Sequence, residues 1–219
     1  MKVKICCIMS VGEARLAVAA GASALGLVSA MPSGPGVIDE ATIARIAAAV
    51  APPTETFLLT ARRTADAIGE QHARCRTTTI QLVDQLPHAE LRRLRERLPG
   101  VRLVQVIHVA GEASIAQAVG VAPLVDALLL DSGNPTLAVK ELGGTGRTHD
   151  WAISRRIRDA AGVPLYLAGG LNAGNVSEAI AAVRPFGIDL CSGVRTGGRL
   201  DAGKLAALFA ALRVPARRA

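Results

Sequence analysis

The sequence is poor in aromatic residues and contains no long apolar run. One tryptophan, one tyrosine and three phenylalanines occur in 219 residues, although 50% of the chain is hydrophobic. A core of this composition must be aliphatic, which is typical of parallel strands that are buried on both faces. No apolar stretch approaches the roughly 18 residues of a membrane span, and no signal-peptide pattern is present. We therefore expect a cytoplasmic α/β protein with no membrane partner.

Patterns typical of metal centres and of nucleic-acid binding are also missing. The four cysteines show no CxxC spacing and no ligand pattern with the four histidines, so we expect no metal site. The formal net charge is +7, but no stacking aromatic residues accompany the scattered arginines. We therefore expect no nucleic-acid partner. A phosphorylated small molecule is the anion that this charge favours.

Short apolar runs alternate with Ala-rich amphipathic segments along the chain. The runs predict strands at residues 3–9, 24–29, 56–60, 78–83, 102–109, 127–131, 164–169 and 188–192. The segments predict helices near residues 12–20, 39–50, 64–74, 88–97, 112–120, 150–161, 174–183 and 201–212. Strict alternation of this kind favours a closed (βα)8 TIM barrel over an open sheet. We expect one such domain over residues 1–213, followed by a short basic tail at 214–219.

In such a barrel, the catalytic and binding residues lie at the C-terminal ends of the strands. Asp131 ends an otherwise apolar strand, where a carboxylate can act as a general acid or can serve only as a hydrogen-bond acceptor for a loop. Three glycine-rich turns follow the last three predicted strands, at residues 143–146, 168–171 and 191–194. Each turn can present backbone N–H groups to a phosphate.

The first predicted strand carries three side chains that need an explanation. Cys6 and Cys7 are adjacent, so strand alternation allows only one of them to point into the barrel, without saying which. Lys4 lies in the same strand, where a buried charge would need a partner. Asp189 lies inside the last predicted strand, and we expect a structural role for it. Trp151 is expected to pack its helix against the barrel.

Taken together, these residues resemble the phosphoribosylanthranilate isomerase family, (βα)8 barrels of tryptophan biosynthesis. The family opens with a strand reading "KICG", which is matched by "KICC" at residues 4–7. A family segment "GGTG..FDW" is matched by "GGTGRTHDW" at residues 143–151, and two later motifs by "LAGGLNAGNV" at 167–176 and "CSGV" at 191–194. These motifs align in order over nearly the whole chain.

The resemblance implies an Amadori rearrangement of an aminoaldose phosphate to an aminoketose phosphate. Cys6 falls on the family's general base and Asp131 on its general acid. The resemblance also implies no metal and no organic cofactor, a phosphosugar substrate as the partner, and a monomer or homodimer. The phosphate is then expected on the glycine-rich turns, at Gly144, Thr145, Gly146, Gly169, Gly170, Ser192 and Gly193.

The departures from the family cluster at the opposite end of the site. In the family, the loop after strand 2 reads "SPR", and its arginine pairs with the anthranilate carboxylate; here "GPG" places Gly36 at that position. Val83 replaces a family histidine, and Arg195 usually a glutamate. The possible substrate-binding residues at this end are Gly36, Gln81, His149 (which replaces an aromatic residue), Arg62 and Arg63. Either arginine could supply the missing cation from the loop after strand 3.

Two alternatives stay open beside the isomerisation of phosphoribosylanthranilate. The chain could isomerise a different phosphoribosyl amine as a divergent paralogue, since Gly36 removes the family's carboxylate partner. It could also be a catalytically weak barrel that binds a phosphorylated ligand. The related isomerase of histidine biosynthesis fits less well, because it uses an aspartate where this chain has Cys6.

Overall fold

The apolar runs form a closed parallel barrel. We describe residues 1–133, 146 and 148–213 from a computed structural model of the chain. Each of the first seven strands pairs in parallel with the next, and the eighth pairs with the first, which closes the sheet. The strands are β1 (Lys2–Ile5), β2 (Ala24–Val28), β3 (Glu55–Thr60), β4 (Thr79–Leu82), β5 (Arg102–His108), β6 (Ala127–Asp131), β7 (Leu165–Leu167) and β8 (Gly187–Leu190). The predicted single (βα)8 barrel is confirmed, and the tail at 214–219 lies outside the described residues.

A helix lies between successive strands and after the last one, within the described ranges. The helices are α1 (Val11–Ala20), α2 (Glu40–Ala48), α3 (Ala65–Cys75), α4 (His88–Arg97), α5 (Ala113–Val121), α6 (Trp151–Ala161), α7 (Val176–Val183) and α8 (Ala202–Arg213). Asp39 and Asp150 cap α2 and α6, because each carboxylate accepts a backbone N–H of the first turn. A short hairpin, β9 (Arg195–Thr196) and β10 (Arg199–Leu200), precedes α8 and was not predicted.

The two-residue period of the strands separates the barrel interior from the layer between sheet and helices. In β6, Ala127 and Leu129 belong to the apolar cluster inside the barrel, whereas Leu128 and Leu130 pack under the helices. Asp131 continues the inward series and therefore faces the mouth of the barrel. Trp151 packs against the layer under the helices, as predicted.

The first strand ends earlier than the sequence predicts, at Ile5 rather than at residue 9. The chain turns out of the sheet at Cys7, which adopts the left-handed conformation with a φ of 61°. This turn breaks the alternation, so Cys6 and Cys7 both lie in the interior cluster. The prediction that only one of the two cysteines faces the barrel interior is therefore wrong.

None of the helices in the described residues is long and apolar enough to cross a lipid bilayer.

Candidate active site

An open cleft lies at the C-terminal ends of the strands, inside the mouth of the barrel. It brings together residues from β2, β3, β4, β6 and β8 and from the segments after β1, β2, β6, β7 and β8. Of the residues singled out from the sequence, those that line it are Cys6, Cys7, Gln81, Asp131, Gly146, Gly169, Gly170, Asp189 and Ser192. The residues implied as acid and base thus share one cleft with Gly146 and the glycine-rich turns after β7 and β8.

Cys6 lies beside a thiol and an ammonium group. A hydrogen bond from the Cys7 thiol lowers the pKa of Cys6; burial opposes this effect, and the positive charge of Lys4 adds to it. Gly26 leaves room for this arrangement, because a Cβ at that position would lie 2.6 Å from Cys6 Sγ and 3.0 Å from Lys4 Nζ. A cysteine with a lowered pKa provides the thiolate that a general base requires.

Lys4 finds its charged partner in Asp189. The two residues are direct neighbours in the register of β1 and β8, and Lys4 Nζ lies 2.9 Å from Asp189 Oδ2. Burial alone would lower the pKa of Lys4, but the carboxylate of Asp189, together with the neighbouring Cys6 and Cys7, outweighs burial and raises it above its ordinary value. Lys4 is therefore a buried cation beneath Cys6. The ammonium group of Lys4 also lies over an aromatic ring: its Nζ is 5.3 Å from the ring centroid of Phe57.

Asp189 also belongs to the cleft, which the sequence analysis did not predict. Its Oδ2 pairs with Lys4, as the structural role predicts, while its buried Oδ1 has no hydrogen-bond partner among the described residues. The two-residue period of the strand could have predicted this placement. Asp189 faces the barrel interior, as does Cys191 just after the end of β8, and both line the cleft.

Asp131 is held at the rim by its own loop. Its Oδ1 accepts a hydrogen bond from the backbone N–H of Ser132 at 2.7 Å, and the residue is half-buried. The predicted loop hydrogen bond is therefore present. The side chain still lines the same cleft as Cys6, which is the placement that a general acid requires.

Gly146 and the glycine-rich turns after β7 and β8 converge on one side of the cleft. Ser192 Oγ lies 3.6 Å from the position of a Cβ on Gly146, so the segments after β6 and β8 are neighbours. A Cβ on Gly193 would lie 2.0 Å from the carbonyl oxygen of Leu171, so the turns after β7 and β8 pack backbone to backbone. Gly144 and Thr145, two of the predicted phosphate-binding residues, lie outside the described residues.

The residues proposed for the other end of the substrate are less close to the cleft. Ion pairs hold Arg62 with Glu40 at 3.4 Å and Arg63 with Asp84 at 3.8 Å, and neither arginine lines the cleft. Gly36 packs directly against Cys7.

His149 lies in a separate cavity beside α6. Its Nε2 is hydrogen-bonded to Ser154 Oγ at 2.7 Å, and burial lowers its pKa. The structure therefore does not bring His149, Arg62 or Arg63 into the cleft that holds Cys6 and Asp131.

Arg195 is a residue of the site that the sequence analysis noted only as a departure. The residue is 8% exposed, and its guanidinium pairs with Glu13 at 3.1 Å. It also donates hydrogen bonds to the carbonyl oxygens of Cys6 and Cys7. A cation from the segment after β8 thus fixes the backbone that carries the proposed base.

The fold and the cleft define a (βα)8-barrel enzyme whose site lies at the C-terminal rim and combines ionisable side chains with glycine-rich turns. The family model described as N-(5'-phosphoribosyl)anthranilate (PRA) isomerase matches residues 4–211. The chain therefore belongs to the N-(5'-phosphoribosyl)anthranilate isomerase family.

Two curated relatives are similar in sequence to almost the full chain. The N-(5'-phosphoribosyl)anthranilate isomerase of Methanocella arvoryzae is 35% identical over 199 residues, which are 90% of this chain and 91% of that protein. The enzyme of the same name from Synechococcus elongatus is 33% identical over 216 residues, which are 97% of this chain and 96% of that protein.

Solved structures show the same barrel. The phosphoribosyl anthranilate isomerase of Thermus thermophilus superposes with a TM-score of 0.82 at 29% identity, covering 97% of this chain and 98% of that chain. A second such isomerase, solved in complex with reduced 1-(o-carboxyphenylamino)-1-deoxyribulose 5-phosphate, gives 0.81 at 26% identity with the same coverage. Monomers generated from the dimeric enzyme of Thermotoga maritima give 0.80 at 25% identity, again with 97% and 98% coverage.

Proposed function

We propose that this chain catalyses the Amadori rearrangement of N-(5'-phosphoribosyl)anthranilate to its 1-deoxyribulose 5-phosphate product, a step of tryptophan biosynthesis. The observation that carries the proposal is the placement of Cys6 and Asp131 in one cleft, beside Gly146 and the glycine-rich turns after β7 and β8. Family membership supports this substrate over a different phosphoribosyl amine and over a barrel that only binds its ligand.

The acid and the base act in sequence. Asp131 delivers a proton to the ring oxygen of the ribose, and the ring opens to an iminium ion at C1. The thiolate of Cys6 then removes the proton from C2, and the resulting enolamine tautomerises to the ketone. The buried ammonium of Lys4 favours the thiolate form of Cys6 before proton transfer. The reaction moves protons only, so the proposal includes no metal and no organic cofactor.

The phosphate of the substrate is proposed to bind the backbone amides of the converging turns. Gly146, Gly169, Gly170 and Ser192 line the cleft on that side. Gly144, Thr145 and Gly193 complete the proposed set. Gln81, on β4, is proposed to bind the middle of the substrate. Its buried Oε1 has no partner among the described residues, so it can accept a hydrogen bond from the sugar or from the bridging amine.

The anthranilate ring is proposed to lie against the apolar side of the cleft, beside Met31 and Leu59. Gly36 offers no charge to the carboxylate there. Arg62 or Arg63 can supply that charge only by leaving its ion pair with Glu40 or Asp84, so their part in binding remains a hypothesis. His149 would likewise act from outside the cleft.

The assembly and the compartment are also proposals. We infer a cytoplasmic enzyme that acts as a monomer or a homodimer; a dimeric relative from Thermotoga maritima supports the second state. Light scattering of the purified chain at several concentrations distinguishes the two states, since a homodimer doubles the measured mass.

The proposal is tested by the loss of phosphoribosylanthranilate fluorescence with the purified protein. We expect turnover with the wild-type chain and with Cys75→Ala, because Cys75 is the buried last residue of α3 and lies outside the cleft. Turnover should be abolished in Cys6→Ser and Asp131→Asn. Full activity of either variant would remove that residue from the mechanism.

The same preparation distinguishes the alternatives. A wild-type chain that binds inorganic phosphate in the cleft but leaves phosphoribosylanthranilate unchanged would overturn the proposed substrate. Such a result would favour another phosphoribosyl amine or a barrel that only binds its ligand.

A further inference from the structure

Two thiols from opposite ends of the chain are in contact at the mouth of the barrel. Cys7 Sγ and Cys191 Sγ lie 2.7 Å apart, although 184 residues separate them in sequence. A disulfide bond is about 2.05 Å long, so these sulfurs need only a small approach to bond. Both side chains are free thiols that line the cleft; Cys7 is buried, whereas Cys191 is half-buried and reachable from solvent.

The barrel itself places these two residues side by side. β1 and β8 are neighbouring strands, with Ile5 opposite Leu190, and the N–H of Cys6 donates to the carbonyl of Leu190 at 2.8 Å. Cys191 therefore follows β8 beside Cys6, and the turn at Cys7 brings its sulfur next to that of Cys191. Both cysteines lie just beyond the ends of their strands, so a closer approach of the two sulfurs involves the turns and leaves the strand pairing in place.

The chain also accommodates a thiol at residue 7 where a side chain is difficult to place. Cys7 has a φ of 61°, a conformation that side chains disfavour and that glycine adopts freely. The facing residue is Gly36, and no Cβ fits there beside the Cys7 side chain. A strained backbone of this kind persists only where the surrounding structure fixes the residue in place, and such residues are common at functional sites.

We propose that Cys7 and Cys191 are a site of reversible oxidation, at which a hydroperoxide that enters the cleft converts the two thiols into a disulfide. Cys191 is the more exposed of the two and reacts first. Its sulfur attacks the peroxide, the O–O bond breaks, and Cys191 becomes a sulfenic acid; the departing oxygen takes up the thiol proton and leaves as water from hydrogen peroxide or as an alcohol from an organic hydroperoxide. The sulfur of Cys7 then attacks the sulfur of Cys191, the S–O bond breaks, and a water molecule leaves with the Cys7 proton. Two thiols are oxidised and one peroxide is reduced.

The disulfide also changes the neighbouring Cys6. The Cys7 thiol donates a hydrogen bond to Cys6, and a sulfur that has lost its proton in a disulfide cannot donate. Cys6 then loses a partner that stabilises its thiolate, and proton abstraction slows. This consequence rests on the proposed role of Cys6, whereas the formation of the disulfide does not.

The test compares the reduced chain with the same chain treated with hydrogen peroxide, by mass spectrometry of proteolytic peptides. We expect a peptide pair linked through Cys7 and Cys191, with the loss of two hydrogens, and its complete reversal by dithiothreitol. Cys191→Ser and Cys7→Gly should form no such link, while Cys75→Ala should form it as the wild-type chain does. The Cys7→Gly variant keeps the left-handed backbone without strain, so its folding is not in question.

Isomerase activity provides the second measurement. Peroxide should lower the activity of the wild-type chain about tenfold, the size of effect that one hydrogen bond to a charged group accounts for, and dithiothreitol should restore it. Overoxidation of Cys6 without a link between Cys7 and Cys191 would overturn the proposal, as would a linked pair that dithiothreitol does not reopen. If the reduced chain has no isomerase activity, the proposed function fails, and the peptide map still decides the oxidation site.

Discussion

A Cβ atom built on Gly36 would lie 2.5 Å from the Cβ of Cys7 and 2.9 Å from its Cα. The loop after β2 therefore packs directly onto the end of β1, and a side chain at residue 36 is incompatible with the thiol at residue 7. The residues at positions 7 and 36 are therefore sterically linked.

This contact predicts a coupling between residues 36 and 7. Gly36→Ala should lower the free energy of unfolding by about 1–3 kcal/mol through overpacking, and by about 1–2 kcal/mol more because its φ is 76°. In the Cys7→Gly background, the overpacking part should shrink, because the contact at 2.5 Å with the Cβ of residue 7 is lost while the contact at 2.9 Å with its Cα remains. Urea denaturation of the two single variants, the double variant and the wild-type chain measures the coupling.

Gly162→Ala is the matched control for backbone strain. Gly162 has a φ of 68°, and no atom lies within 4 Å of its Cβ position. Gly162→Ala should lower the free energy of unfolding by about 1–2 kcal/mol through backbone strain alone. This decrease should be the same in the Cys7→Gly background. Equal costs for Gly36→Ala with and without Cys7 would show that the loop moves away from β1.

Lys4→Met should shift the pH dependence of kcat. The base requires the thiolate, so activity increases as the pH rises through the pKa of Cys6, which the native site holds below its ordinary value of 9.0. Loss of the ammonium group raises that pKa, so the acidic limb should move to higher pH while the rate at high pH changes less. The measurement is kcat from pH 5 to 10.

Folding of this variant needs its own control. Lys4→Met leaves Asp189 unpaired and buried, which costs about 3–5 kcal/mol, so Lys4→Met with Asp189→Asn should be the more stable protein. Both variants lack the cation, so both should show the shifted limb, but the double variant should shift less, because the carboxylate of Asp189 raises the pKa of Cys6 and is removed with it. An unmoved limb in a folded variant would remove Lys4 from the tuning of Cys6.

Arg195→Ala should destabilise the chain and slow catalysis together. The variant loses the buried pair with Glu13 and the hydrogen bonds to the carbonyls of Cys6 and Cys7. Breaking such a pair costs about 3–5 kcal/mol, and removing Glu13 as well should recover part of this cost. Arg93→Ala, which breaks exposed pairs with Asp66 and Glu90, should cost less than about 1 kcal/mol.

A kinetic readout separates positioning from stability in Arg195→Ala. At a temperature where the variant is fully folded, kcat should fall while KM for phosphoribosylanthranilate changes little, because the guanidinium holds the backbone of the base rather than the substrate. A fully folded variant with unchanged kcat would assign Arg195 to stability alone.

Replacing Arg62 and Arg63 by alanine tests the missing cation. Because both side chains pair with carboxylates and neither lines the cleft, we expect KM for phosphoribosylanthranilate to rise less than about twofold. A KM that rises tenfold or more would show that one arginine turns into the cleft and binds the substrate carboxylate. Glu40→Gln is the companion variant, since it frees Arg62 without removing it.

The sequence by itself determined the barrel and much of its site. Hydrophobic periodicity is local, so the apolar runs predicted all eight strands, and the end of the sixth run placed Asp131 at the C-terminal rim of the barrel. The same rule failed at Cys7, because alternation holds only while the chain stays in the sheet, and Cys7 leaves it with a left-handed φ.

Only the tertiary structure decided which side chains meet. Closing the barrel brings β8 against β1, and this pairing alone joins Lys4 to Asp189 and Cys7 to Cys191. The ion pairs that hold Arg62 and Arg63 away from the cleft depend in the same way on neighbouring elements. Period and propensity act over a few residues, whereas partners that lie more than a hundred residues apart are chosen by register and packing, which no local pattern encodes.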